Sequence, residues 1–253
     1  MILRVATIFL TIIILALTSL GDALAAEDQE LLYSLGYTFQ TSLKERLRGF
    51  ASTIYEQQYA AGEIFGTQNE LDIYGGVTFD LKERIRIEGG LGYYYIHRDV
   101  ANNTHELRLW QSGTLDWPES LGLVRRFVIH HRFRIEERFR NNQENGSLAF
   151  RFRYRLAFAF PFNRYTVEPG AFYAPAKFEL YVPLGDDNEG LFSQQVRFTV
   201  GIGYVFNQDW KGELRYAWQR SRDTIDQDLR LGNHFIELRV STSIRIKDLI
   251  KAR

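Results

Sequence analysis

The sequence predicts an all-β protein, a single transmembrane antiparallel β-barrel of about 10–12 strands that follows an N-terminal signal peptide. Two further observations support this fold class. Many segments alternate apolar and polar residues with a period of two, which is typical of strands. After the N-terminus no apolar run approaches the roughly 18 residues of a spanning helix, so a membrane form has to cross by strands.

The N-terminal segment has the layout of a secretory signal. Arg4 supplies a positive charge, Val5 to Leu17 is largely apolar, and Ala23-Leu24-Ala25 offers a small-residue cleavage site. The apolar run is shorter than the roughly 20 residues of a spanning helix, although an uncleaved anchor is the alternative. We therefore assign residues 1–25 to a signal peptide and residues 26–253 to one barrel domain in the outer membrane.

Composition narrows the function classes. The chain has 253 residues and no Cys, which excludes a disulfide scaffold and a Cys-based zinc site. Its 31 basic and 31 acidic residues balance, which argues against a general nucleic-acid binder. The mean hydropathy of −0.26 suits a barrel whose strands alternate lipid-facing and lumen-facing residues. The expected partner is membrane lipid, with small anionic solutes as a candidate.

The segment Leu148 to Phe160 shows the strand pattern most clearly. Every even position in it is large and apolar or aromatic, whereas every odd position is Arg or Ala. Only a strand places these two sets on opposite faces. Since no helical pattern in the sequence is long enough to cover the apolar face, lipid is its expected neighbour.

Eleven segments of the chain are candidate strands. They are Leu31 to Thr41, Leu47 to Gln58, Asn69 to Phe79, Arg84 to Arg98, Thr104 to Trp117, Arg126 to Phe139, Leu148 to Phe160, Ala171 to Val182, Gln194 to Phe206, Lys211 to Ser221 and Asn233 to Ile246. Tight turns such as Asp80 to Glu83 alternate with longer polar loops such as Arg222 to Gly232. Because bacterial single-chain barrels have an even strand number, we expect either ten strands, with Leu31 to Thr41 not a complete strand, or twelve, with a hidden strand around Arg164 to Val182.

Several of these strands also resemble a known family. The segments His131 to Phe139, Gln195 to Tyr204, Glu213 to Tyr216 and Asn233 to Leu238 resemble, in kind and order, the outer-membrane barrel family catalogued as domain of unknown function 2490. The resemblance covers most of the chain after the signal peptide and implies an outer-membrane barrel, with no established activity or functional residues. Such barrels commonly finish on Phe or Tyr, whereas this chain ends in Lys247 to Arg253.

The alternation predicts which charged residues face the lumen. The predicted lumen residues are Arg84, Arg86, Glu88, Glu106, Arg108, Arg132, Arg134, Glu136, Arg138, Arg151, Arg153, Arg155, Glu213, Arg215, Glu237 and Arg239. One interpretation is a structural barrel whose narrow lumen these side chains fill as interlocked ion pairs. The alternative is an anion-selective channel for small solutes, in which the excess Arg lines a water-filled path.

An outer-membrane enzyme with a His-centred site at one rim is the second alternative. His97 and His105 flank a short loop in which Asp99 could orient a general base, but no Ser nucleophile motif lies nearby. His130 and His131 are adjacent and should point to opposite faces. We assign no catalytic residue, and no spacing in the sequence predicts a metal or cofactor.

Overall fold

The computed structural model describes residues 31–59, 68–98, 103–117, 128–141, 146–185, 194–222 and 232–244. Eleven strands in these ranges form one closed barrel, which confirms the predicted fold class. They are β1 Leu31–Lys44, β2 Leu47–Tyr59, β3 Gln68–Lys82, β4 Ile85–Arg98, β5 Thr104–Asp116, β6 Val128–Asn141, β7 Gly146–Pro161, β8 Phe172–Leu184, β9 Gln194–Val205, β10 Trp210–Arg222 and β11 His234–Ser243. The predicted signal peptide and the basic C-terminal tail lie outside the described residues. The described part of the chain contains no helix of sufficient length and apolarity to cross a membrane.

The barrel closes with one parallel pair of strands. Each strand pairs with its sequence neighbours in antiparallel fashion, but β1 and β11 run in the same direction, in register from Leu31↔His234 to Gln40↔Ser243. The expectation of ten or twelve strands is therefore wrong. An odd number leaves the first and last strands parallel, and a parallel ladder can satisfy their backbone groups as well.

The expected hidden strand is also absent from the described structure. Residues 162–171 form a bent connection between β7 and β8, in which the amide of Gly170 donates to the carbonyl of Val205 at 2.8 Å. Pro175 lies within β8 opposite Ala159 of β7, but it makes no pair with β9, whose ladder resumes at Ala176. Proline lacks the amide hydrogen that this ladder needs, which explains the interrupted pattern in the sequence.

The two ends of the barrel carry different connections. The short turns 45–46, 83–84 and 206–209 and the bend 162–171 lie at one end, which we call the turn end. The opposite end, where β1 and β11 begin, we call the loop end. Most of the longer loops predicted there lie outside the described residues. The connection 162–171 is ten residues long, so the connections at the turn end are not all short, and the predicted alternation of short turns with long loops stays a prediction.

The outward face of the barrel is apolar all the way round. Every strand exposes at least one large apolar or aromatic side chain, from Leu35 at 56% and Ile73 at 53% to Leu238 at 43%. The inward face is mostly polar, and its small apolar clusters lie around Phe235 and around Tyr173. This is the reverse of a soluble protein, in which large apolar side chains gather inside.

Candidate functional site

A cavity of about 860 Å³ occupies the interior of the barrel. All eleven strands contribute to its lining, which extends from Gln68 and Gln219 near the loop end to Gln40 and Lys211 near the turn end. Fifteen Arg or Lys side chains line it, against seven Asp or Glu side chains. The cavity wall therefore carries an excess of positive charge, although the whole chain is neutral. Four carboxylates outside this lining reduce the excess, because each pairs with one of the lining cations: Asp80, Asp116, Glu136 and Glu213.

Thirteen of the sixteen predicted lumen residues line this cavity. These are Arg86, Glu88, Glu106, Arg108, Arg132, Arg134, Arg138, Arg151, Arg153, Arg155, Arg215, Glu237 and Arg239. Glu136 and Glu213 are buried against neighbouring Arg side chains instead. Arg84 does not belong to the set, because β4 begins at Ile85 and Arg84 is exposed in the turn that precedes it.

Glu106 on β5 holds three cations together. Its carboxylate accepts two hydrogen bonds from the guanidinium fork of Arg138, both at 2.7 Å, and one from Nε of Arg108 at 2.7 Å. Arg140 lies at 3.5 Å. Arg108 and Arg138 are directly opposite each other on neighbouring strands, so the shared carboxylate offsets a like-charge pair.

Glu136 and Glu179 play the same part on the adjoining wall. Glu136 is fully buried and pairs with Arg151 at 2.5 Å. Glu179 on β8 accepts hydrogen bonds from Arg153 at 2.6 Å and from Arg155 at 2.5 Å. Each of these carboxylates is desolvated, and its guanidinium partners replace the lost water.

The opposite wall has a looser arrangement around Glu237 on β11. The carboxylate of Glu237 lies 3.4 Å from Arg239, 3.6 Å from Arg215 and 3.9 Å from Arg197, distances that exceed those of strong charge-assisted hydrogen bonds. Glu213 on β10 contacts Arg215 and accepts a hydrogen bond from the Tyr173 hydroxyl at 2.5 Å. The Arg side chains around Glu106, Glu136 and Glu179 are thus held by shorter contacts than those around Glu237.

Aromatic rings inside the barrel support the guanidinium groups. Arg108 lies over the ring of Tyr94 at 3.5 Å, and Arg134 lies over Trp110 at 4.8 Å. The indole of Trp110 also donates to Glu88 at 3.2 Å. Gly90 makes room for this ring, because a Cβ at that position would overlap the Trp110 side chain. Cation–π contacts of this kind hold an Arg in place without using up a carboxylate.

The sequence prediction missed several charged residues of the cavity. Lys177 and Glu179 on β8, Arg197 on β9 and Glu56 on β2 all line it. The run from Lys177 to Tyr181 alternates charged and apolar residues as clearly as β7 does, so the signal was present. The nearby Pro175 obscured it.

The five histidines lie in three settings. His130 faces inward, where its Nδ1 lies 2.5 Å from Asp116, while His131 faces outward and is hydrogen-bonded to Tyr154 at 2.8 Å. The adjacent pair therefore does point to opposite faces, as predicted. His105 and His234 are hydrogen-bonded to outward-facing tyrosines.

His97, the first residue of the proposed rim site, is hydrogen-bonded to Asn103 at 2.9 Å. His105, the second, lies on the outer face against Tyr93 at 2.6 Å. Asp99, the third, lies outside the described residues. In the described ranges no group of His, Asp and Glu is arranged to hold a metal ion.

Comparison with known proteins gives a family and a distant structural likeness. No curated protein matches the chain in sequence. An anion-selective porin from Comamonas acidovorans is similar in structure, with a TM-score of 0.35 and 11% sequence identity over 77% of this chain. The chain spans 55% of that porin's length, and a likeness at this level carries no functional argument.

The family model described as "Protein of unknown function (DUF2490)" matches residues 33–230, from β1 to beyond β10. This match covers well over half of the chain and agrees with the resemblance in the sequence. The protein belongs to the DUF2490 family.

Proposed function

We propose that the protein is an outer-membrane β-barrel whose interior accepts and passes small anionic solutes. The observation that carries this proposal is the cavity of about 860 Å³, which reaches both ends of the barrel and is lined by fifteen cationic and seven anionic side chains.

The outer face supports a membrane location. Soluble monomers rarely expose a contiguous apolar patch above a few hundred Å². Here large apolar side chains are exposed on all eleven strands, including Leu91 on β4, Phe133 on β6 and Val200 on β9. A closed barrel has no unpaired strand edge, so its backbone is compatible with a bilayer core. Lipid is the one partner that covers such a belt on every side.

Aromatic and His side chains near the strand ends fit the two interfaces of a bilayer. At the turn end Trp117 packs on His131, with ring centroids 5.5 Å apart. At the loop end Tyr95 packs on His105 at 5.1 Å, beside Tyr93. Amphipathic rings concentrate at the level of the lipid headgroups, and the apolar belt lies between these two levels.

The charge of the cavity lining favours the entry of anions over that of cations. An excess of Arg and Lys along a narrow, low-dielectric passage raises the local concentration of anions and repels cations. The paired carboxylates do not cancel this excess, because Glu106 alone is shared among Arg108, Arg138 and Arg140. The unpaired remainder of the positive charge is available to a solute.

A structural barrel with a closed interior is the second candidate. The tight contacts of Glu106, Glu136 and Glu179 favour it, because interlocked ion pairs of this kind fill space and hold strands together. In that case the cavity holds water without passing ions, and the barrel's role is mechanical.

The location is tested by cell fractionation. We expect the mature chain to begin at Ala26 or Glu27 and to sediment with the outer membrane, because the N-terminus carries a predicted cleavage site and the barrel an apolar belt. N-terminal sequencing and density-gradient separation measure both. Recovery in the soluble periplasm without detergent, or a mature chain that still starts at Met1, would contradict the proposal.

The two candidate functions are separated by planar-bilayer recording on the purified, refolded barrel. A passage for anions predicts discrete current steps in potassium chloride. A closed interior predicts a silent bilayer, even when the insertion of the protein is verified independently by protease protection of reconstituted vesicles.

A further inference from the structure

Four arginines form a square on one wall of the cavity. Arg132 and Arg134 on β6 lie directly opposite Arg155 and Arg153 on β7, and we call these four residues the arginine quartet. Opposed residues on neighbouring strands have Cβ atoms about 5 Å apart, and like charges at that spacing destabilise a sheet. The quartet therefore needs negative charge close by.

Three carboxylates surround the arginine quartet, and their distances to the four guanidinium groups differ. Glu179 binds Arg153 and Arg155 at 2.6 and 2.5 Å. Glu88 binds Arg134 at 2.8 Å but is 3.7 Å from Arg132. Glu136 is committed to Arg151 at 2.5 Å and lies 3.7 Å from the quartet. Among the described residues, Arg132 has no carboxylate within hydrogen-bond length.

Lys177 adds a fifth cation next to the quartet. It lies on β8 opposite Ala157, two residues from Glu179, which itself pairs with Arg155. No carboxylate oxygen of the described chain lies within 4 Å of its ammonium group. Ala157 has a small side chain and lies between Lys177 of β8 and His130 of β6, and all three residues line the cavity together with Arg155 and Arg132.

Two donors of the quartet itself are also unused. The Nε atoms of Arg134 and Arg153 are buried and have no hydrogen-bond partner in the described structure. An unsatisfied buried donor on a charged group costs free energy that a suitable acceptor would recover. The described carboxylates thus leave part of the hydrogen-bonding capacity of the quartet unsatisfied.

We propose that Arg132, Arg155 and Lys177 bind a small multivalent oxyanion such as inorganic phosphate inside the barrel. A guanidinium fork matches two oxygens of a tetrahedral oxyanion, and an ammonium group serves as a point charge for a third. Arg132 on β6 is directly opposite Arg155 on β7, and Lys177 on β8 is diagonal to Arg155, two residues further along. A doubly charged anion gains more from such a site than chloride does, because Coulomb energy scales with the product of the charges.

The phosphate site specifies which class of solute the proposed anion passage would take, and it rests on that proposed function. A separate experiment tests it. Inorganic phosphate is added to the wild-type barrel in potassium chloride at constant ionic strength, and the chloride current is recorded. We expect phosphate to reduce the current in a saturable way. Unchanged chloride current at every phosphate concentration overturns the inference and leaves the anion passage standing.

Variants locate the site. Arg132→Gln and Lys177→Met should each raise the half-blocking phosphate concentration about tenfold or more, the effect of losing one charge-assisted hydrogen bond. Arg84→Gln is the matched control, because it removes an Arg that is exposed in a turn outside the cavity. Equal phosphate sensitivity in all three variants would place any block elsewhere and overturn the assignment.

An equilibrium measurement does not depend on conductance. Phosphate that binds the folded barrel should raise its urea midpoint in detergent relative to chloride at equal ionic strength. Arg132→Gln should lose this rise and Arg84→Gln should keep it. In phosphate-free buffer Lys177→Met should fold at least as well as wild type, since it removes an uncompensated cation. If phosphate leaves the wild-type midpoint unchanged, or if Lys177→Met is destabilised without phosphate, the site does not exist as proposed.

Discussion

At the residue scale, the interior is organised by carboxylates that are each shared between two or more cations. Glu179 is the clearest case, since Arg153 and Arg155 both donate to it at hydrogen-bond length. Removing Glu179 leaves two neighbouring guanidinium groups on the same face of β7 without their shared acceptor. The carboxylates are therefore the residues on which the stability of the charged wall depends.

Glu179→Gln should destabilise the barrel by about 1–3 kcal/mol, because the neutral amide no longer offsets two buried cations. The measurement is urea unfolding of the barrel in lipid vesicles. Glu168→Gln is the control, since Glu168 is exposed in the connection before β8 and its carboxylate accepts a hydrogen bond from the Thr166 hydroxyl. Equal stability of Glu179→Gln and wild type would mean that water already screens this wall.

The outward face gives an opposite expectation. Ile135 lies in the middle of β6, is 47% exposed and pairs with Phe152 of β7. Ile135→Arg should cost about 2–4 kcal/mol of folding free energy in vesicles, as expected for Arg on the lipid face near the midplane. Ile135→Leu is the matched control and should be nearly neutral. A harmless Ile135→Arg would show that this face does not contact lipid.

At the element scale, the strands were largely predictable and their closure was not. Most predicted strand boundaries fall within about two residues of the observed ones, because apolar and polar residues alternate along β7 and its neighbours and this period can be read from the sequence. The start of β4 was placed one residue early, which put Arg84 in the wrong set. A charged residue in a turn can extend the apparent alternation of polar and apolar residues beyond the end of the strand, as Arg84 does before β4.

The parallel closure could not be predicted because it depends on a pairing between distant segments. β1 and β11 are separated by nearly the whole chain, and neither carries a local signal for direction. The same limit applies inside the barrel. Local alternation predicted that Arg155 and Glu213 face inward, but only strand register shows that Arg155 is bound to Glu179.

The parallel seam is testable with cysteines, since the chain has none of its own. Leu35 and Leu238 are directly opposite across the seam and both are exposed on the outer face. Leu35→Cys combined with Leu238→Cys should form a disulfide under mild oxidation, because opposed residues lie within bonding range. Mobility on a non-reducing gel measures the cross-link.

Leu35→Cys combined with Leu91→Cys is the control pair. Both positions face outward, but β1 and β4 are not neighbours, so this pair should remain reduced. Cross-linking of the control pair, or failure of Leu35→Cys with Leu238→Cys, would mean that the barrel does not close as described.

At the scale of the whole molecule, closure predicts resistance to detergent. A closed barrel has no free strand edge from which unfolding can begin, because each described strand is paired with a neighbour on both sides. Unheated protein should therefore migrate differently from boiled protein in a detergent gel. Identical migration of the two samples would contradict a closed and stable barrel.

The whole molecule is neutral, yet it sorts its charge by location. Positive side chains are concentrated on the cavity wall, whereas many of the balancing carboxylates lie outside it, as Glu83 and Glu168 do at the turn end. The net charge of the chain therefore gave no indication that the cavity lining is positively charged. Only the alternation of each strand, combined with closure, shows that the cations face one another across a common space.

The zero-current potential across a bilayer measures directly whether this interior favours anions over cations. The wild-type barrel is placed between concentrated and dilute potassium chloride. An interior with excess Arg passes chloride more readily than potassium, so the dilute side should become negative relative to the concentrated side. A zero-current potential of zero, or a positive potential on the dilute side, would show that the barrel interior does not favour anions.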